Sequence, residues 1–102
     1  MIQHKRRRVV WSSAAEQEVA EAALWYEDHQ TGLGEQFLIS TENAANAAGI
    51  SPELYARVHG RLRRVLVHRF PYALIVRESS DELFVVACYH LHRDPKVWQS
   101  RG

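Results

Sequence analysis

Two histidines two positions apart, His90 and His92, and two arginines upstream of them, Arg64 and Arg69, are the residues of this sequence best suited to moving protons and stabilising charge. Attack of a ribose 2′-hydroxyl on its phosphate needs a base, an acid and a cation for the developing charge. Histidine, with an unperturbed pKa of about 6.5, can supply the first two and arginine the third. On a strand, side chains two apart share a face, so His90 and His92 with Arg64 nearby form one candidate nuclease site. The plainer reading is a pair of hydrogen-bonded surface histidines at a strand end. A metal is not expected, because His68 is the remaining nearby histidine and Asp81 and Glu82 fall in a turn. Nor is a cofactor: the chain has no glycine-rich phosphate cradle and no Ser/His/Asp or Cys/His spacing that marks a nucleophile. The single cysteine, Cys88, lies in Phe84-Val85-Val86-Ala87-Cys88 and reads as a small buried hydrophobe in a reducing compartment.

The elements that must position these residues follow from periodicity. Val9-Val10-Trp11 is β-prone, and Ser13 with Glu16 reads as a capping box opening a helix. Its apolar stripe is Ala15, Val19, Ala22, Ala23 and Tyr26, and Gly32 supplies the stop. A second helix is predicted from Leu33 or Gly34 to Ala48, with Phe37, Leu38, Thr41, Ala44, Ala45 and Ala48 inward and Gly49 as a left-handed cap. Glu18, Glu21, Asp28, Glu35 and Glu42 then form the solvated outside of a helix hairpin. After Ile50-Ser51-Pro52 and a turn at Gly60, strands are predicted over Leu62–His68, Tyr72–Glu78 and Leu83–His90, linked by Phe70-Pro71 and Ser79-Ser80-Asp81. The last strand is apolar on both alternating sets, as a strand covered on two sides should be. The expected fold is α+β: a short N-terminal strand, an antiparallel helix hairpin, then a three-stranded antiparallel meander, all in a single domain over residues 1–102.

Charge divides along the chain. Val9 to Ala56 contains eight acids and no lysine or arginine, whereas Arg57 to Arg77 contains six arginines and no acid, although the net charge is only +1. A basic sheet face calls for an acidic or polyanionic partner. Only the short segment Asp94-Pro95-Lys96-Val97-Trp98, one helical turn capped by Asp94, remains to cover the sheet face away from the hairpin. That face is therefore expected to be completed by another protein. Trp11, Trp25 and Trp98 read as core or edge packing, Lys5-Arg6-Arg7-Arg8 as a solvated lead-in to the first strand, and Arg93-Asp94 as a local ion pair. No apolar run reaches the roughly 20 residues of a membrane span, and the start lacks an apolar signal stretch, so a cytoplasmic protein is expected.

Four segments carry a resemblance. Trp25-Tyr26-Glu27, Gly32-Leu33-Gly34-Glu35-Gln36-Phe37, Arg63-Arg64 through Arg69-Phe70-Pro71-Tyr72, and His90-Leu91-His92-Arg93-Asp94-Pro95-Lys96-Val97-Trp98 resemble, in order and spacing, the RelE/ParE toxin superfamily. The resemblance implies the toxin of a type II toxin–antitoxin pair, neutralised by an antitoxin whose tail wraps the sheet and the hairpin. RelE-like members are ribosome-dependent mRNA endonucleases that use basic sheet residues and a tyrosine or histidine near the C-terminus; ParE-like members bind DNA gyrase. This chain has Arg64, Arg69, His90 and His92 but no tyrosine after Tyr89, a departure from the nuclease pattern. The expectation is a ParE-like toxin, with Arg61, Arg63, Arg64, Arg69, Arg77, His90, His92 and Arg93 meeting antitoxin or target. The alternatives are a RelE-like endoribonuclease acting on mRNA at the ribosome and a stand-alone basic nucleic-acid-binding module.

Overall fold

A computed structural model describes residues 6–101. Among them, β1 (Arg8–Trp11) leads into α1 (Ser13–His29), α2 (Leu33–Ile50) returns antiparallel to it, and β2 (Arg57–His59), β3 (Leu62–Leu66), β4 (Tyr72–Glu78) and β5 (Glu82–His90) follow, with a last short helix α3 (Lys96–Gln99). The sheet order is β1-β5-β4-β3-β2, antiparallel except that β1 runs parallel to β5. The predicted architecture is present, extended by one strand. Three-residue β2 escapes a periodicity argument because it is too short to alternate. Lys5 of the basic lead-in lies outside the described residues.

The cap of α1 is Ser12 rather than Ser13. Its N–H donates to the Val85 carbonyl at 2.9 Å, finishing the pairing with β5, while its Oγ accepts from the Ala15 N–H at 3.1 Å. Ser12 thus makes the last backbone bond to β5 and caps the helix at once, between β1 and α1, and Glu16 has no capping box to complete. The inward stripe of α1 is as expected, with Ala15, Val19, Ala22 and Ala23 buried and Tyr26 packed against the core.

The hairpin closes on Glu27. Its carboxylate accepts from the N–H groups of Gly32, at 3.0 Å to Oε2, and Gly34, at 3.0 Å to Oε1, two donors that open α2 with no partner inside the helix. Gly32 adopts φ +89°, so it turns the chain rather than merely ending α1 at Gln30. A Cβ on Gly34 would meet the Ala23 carbonyl oxygen at 2.5 Å, which explains a glycine where the helices touch. Two expectations for α2 change. Leu38 is exposed, being on the outer side of the stripe Phe37, Thr41, Ala45 and Ala48. Gly49 lies within the helix, and its carbonyl accepts from the Arg7 N–H, so its missing side chain lets the lead-in to β1 approach.

The sheet is covered on both faces. On the hairpin side Val65, Val67, Leu74, Val76, Leu83, Val85 and Cys88 pack with Phe37 and the helix alanines. On the other side Leu62, Ala73, Ile75, Val86, Ala87 and Tyr89 form a second cluster closed by Trp98. A bulge explains the doubly apolar β5: Ile75 pairs with Ala87 and Val76 with Val85, so Val86 is an extra residue and joins Ala87 on the far face. Trp98, 3% exposed, is therefore a cover that the chain provides for itself, and the far face is less open than the sequence suggested. Asp94 accepts from the Lys96 N–H at 2.9 Å, spending its carboxylate on starting α3 rather than on Arg93. Trp25 departs from the packing expectation: it is exposed and stacks on His29 with ring centroids 3.8 Å apart.

Candidate functional site

A concavity of about 640 Å³ opens between α1 and the ends of β4 and β5. Glu18, Glu21, Ala22, Trp25 and Tyr26 line it from α1, and Pro71, Tyr72, Cys88, His90, His92 and Arg93 from the sheet end. His90 shares the hairpin-side face with Cys88, two residues earlier. Its ring packs edge-on to Tyr72 at 5.2 Å and to His92 at 5.1 Å, and its Nδ1 accepts from the His92 N–H at 3.1 Å. Accepting there places the proton of a neutral His90 on Nε2. Burial raises the hydroxyls of Tyr26 and Tyr72 above their ordinary value of 10.0, although Arg93 opposes the rise at Tyr72. Burial, with the Glu18 charge second, pushes the Cys88 thiol up to about 12, so it remains a thiol in this wall.

The two histidines come together, but the arginines do not join them. Arg64 alternates with inward Val65, so it projects from the far face and is exposed. Arg69 occupies the β3–β4 turn at φ +74°, beside Gln36, Ile39 and Ser40 of α2. Arg93 alone brings a guanidinium to the histidine cleft. Arg63 is engaged inside the fold: its Nε and Nη2 donate to the Glu78 carboxylate and its Nη1 to the Tyr55 carbonyl at 2.8 Å. Arg77 lies over the Phe84 ring at 4.9 Å on the far face, where it flanks Leu62 in the next strand, and Arg61 is exposed in the β2–β3 turn. The far face thus presents exposed Arg64 and half-buried Arg77 beside half-buried Phe84, over a buried Leu62, with Leu66 exposed beyond them. Among the described residues no group of three His, Cys, Asp or Glu is placed to hold a metal, and no helix is long and apolar enough to cross a membrane.

One connection had no clear signal in the sequence. Arg101 donates from Nη1 to Glu18 Oε1 at 2.9 Å and from Nη2 to Oε2 at 3.1 Å, while Nη1 also reaches the Val86 carbonyl. Glu18 further accepts from the Cys88 N–H at 3.1 Å, so it is a junction between helix, strand and tail and not part of a solvated acidic face. The residues are 83 apart in the chain, and no local pattern announces such a pair.

Among solved structures the chain is similar to one from the chromosomal ParDE TA system from P. aeruginosa. The TM-score is 0.66 at 12% identity, over 83% of this chain and 96% of that one. No protein-family model and no curated protein matches the sequence. At that identity the likeness is one of fold: a helix hairpin laid on one face of a mainly antiparallel sheet.

Proposed function

We propose that this protein is the toxin of a type II toxin–antitoxin pair, neutralised in the cytoplasm by a cognate acidic antitoxin and acting by binding DNA gyrase. The observation that carries the reading is the shared fold with a chain of a toxin–antitoxin system, over nearly the whole of that chain. The separation of Arg64 and Arg69, the cations of the candidate nuclease site, from the histidine pair favours binding over cleavage, and Arg93 is the guanidinium that lines the histidine cleft. A phosphoryl transfer needs its acid, base and cation around one phosphate. Here Arg64 is on one face of the sheet and the histidine pair on the other, while Arg69 lines a separate concavity against α2. The far-face arginines, set around apolar side chains, suit a protein surface.

Purified protein is expected to inhibit supercoiling by gyrase and to leave mRNA on translating ribosomes intact. Expression should arrest growth, and co-expression of a small acidic protein encoded beside it should relieve the arrest. Cleavage at defined codons with gyrase unaffected would promote the ribosome-dependent endoribonuclease. Tight, strongly salt-dependent binding to DNA or RNA with neither target present would promote the nucleic-acid-binding module.

A further inference from the structure

Strand β5 loses its neighbour halfway along. β1 pairs with it from Arg8↔Glu82 to Trp11↔Val85, and Ser12 makes the last backbone bond before the chain turns into α1. Beyond that point side chains meet the outward groups of β5. The Val86 carbonyl accepts from Ser12 Oγ at 3.3 Å and from Arg101 Nη1 at 3.1 Å; the Cys88 N–H donates to Glu18. Among the described residues the series ends there.

The ladder to β4 fixes what comes next. The Leu91 N–H donates to the Pro71 carbonyl at 2.9 Å, which makes Tyr72↔His90 a wide pair, and Leu74↔Cys88 is the next of the same kind. In a wide pair the backbone groups point away from the partner strand. The Cys88 carbonyl and the His90 N–H therefore both face the open edge, where Cys88, Tyr89 and His90 form one wall of the 640 Å³ cleft. An acceptor and a donor flanking one residue are what a parallel neighbour uses: a single incoming residue gives its N–H to the first and takes the second at its carbonyl. β1 already runs parallel on this edge.

The walls specify the occupant further. Ala22 leaves room for a backbone on the α1 side, and Trp25 and Tyr26, one turn further on, offer apolar surface; of the two carboxylates on this wall Glu18 is paired with Arg101, and Glu21 is exposed. Arg93, whose N–H donates to the His90 carbonyl at 3.0 Å, stands at the end toward which a parallel segment would run. We propose that this half of β5 is a strand-addition site for an extended acidic segment of a partner protein, parallel to β5, with one residue bonded to Cys88 and His90 and a carboxylate C-terminal to it against Arg93. The site is independent of the gyrase reading, and its test uses neither growth nor gyrase.

The probe is a random dodecapeptide library displayed on phage, panned on the whole chain and, in parallel, on Arg93→Glu. Wild type should enrich acidic sequences. As synthetic peptides these should bind Arg93→Glu about ten-fold or more weakly than wild type, with Arg93→Gln intermediate. The His90 amide should exchange more slowly in the complex, and N-methylation at one peptide position should abolish binding. Circular dichroism establishes that both variants are folded; Arg93 is exposed, so neither substitution disturbs packing. The proposal is overturned if panning enriches nothing, if enriched peptides bind Arg93→Glu as tightly as wild type, or if His90 exchanges at its free rate in the complex.

Discussion

Arg63 and Arg64 are neighbours in sequence with opposite duties. The Arg63 side chain is 12% exposed and bound to Glu78 and Tyr55, whereas Arg64 points to solvent. Arg63→Ala is therefore expected to cost about 2–4 kcal/mol in urea unfolding, since it strands the Glu78 carboxylate, while Arg64→Ala stays within about 0.5 kcal/mol. Equal effects would contradict this division. Burial alone would raise the Glu78 carboxyl, but hydrogen bonds from Arg63 and the backbone, with the charges of Arg63 and Arg57, hold it below its ordinary 4.5. The contribution is thus complete above pH 4.5 and lost as acid carries the protein through the lower folded value. At the alkaline end the sign reverses. Cys88 keeps its proton in the fold up to about 12 against an ordinary 9.0, so stability should decline between those values and Cys88→Ala should flatten that limb. The alternation of Leu62, Arg64 and Leu66 with Arg63, Val65 and Val67 is legible in the sequence and by itself assigns the two arginines to opposite faces. The partner of Arg63 is not, because Glu78 reaches it from the next strand through a register that only the folded sheet defines.

At the scale of the element, the hairpin is the most constrained part. Small residues keep it close to the sheet: Ala45 is 1% exposed and Ala44 half-buried against the core. Ala45→Leu should overpack that contact by about 1–3 kcal/mol, which for a domain of this size lowers the melting temperature by roughly 4–8 °C per kcal/mol. Gly34→Ala should cost as much through a different contact, since its new methyl group meets the Ala23 backbone and cannot be moved aside by a rotamer change. An unchanged melting temperature would mean, for Ala45→Leu, that α2 does not press on the sheet there and, for Gly34→Ala, that the two helices do not meet there. The stripe of α1 and the turn residues made the hairpin readable. Its cap was misplaced by one residue because Ser12 and Ser13 are both competent caps, and what decides is Ser12's bond to Val85, a contact 73 positions away. The sequence marks Asp94–Trp98 as the segment left to cover the far face and Trp98 as packing, but a lone tryptophan in a short tail carries no periodicity, and how fully it closes that face, with Tyr89 5.4 Å away, is set by the fold.

Across the whole molecule, charge and chemistry are sorted to different sides. The hairpin shows Glu21, Asp28, Glu35 and Glu42 to solvent, the far face carries Arg64 and Arg77, and the histidine cleft lies on the hairpin side. This arrangement decides what loss of each group should do. An enzyme deprived of its acid–base pair loses orders of magnitude in rate, whereas a binding protein loses only what those side chains contribute to an interface. His90→Ala with His92→Ala is therefore expected to leave most growth inhibition intact, and abolition of toxicity in a folded double variant would count for catalysis. Arg64→Glu reverses a far-face charge without touching the core. For an acidic antitoxin docked there, the variant complex should be weaker at low salt, and its affinity should converge with that of wild type as salt screens the difference. Titration calorimetry at about 0.05 and 0.5 M salt distinguishes the cases. Equal affinities at low salt would place the acidic partner elsewhere on the molecule.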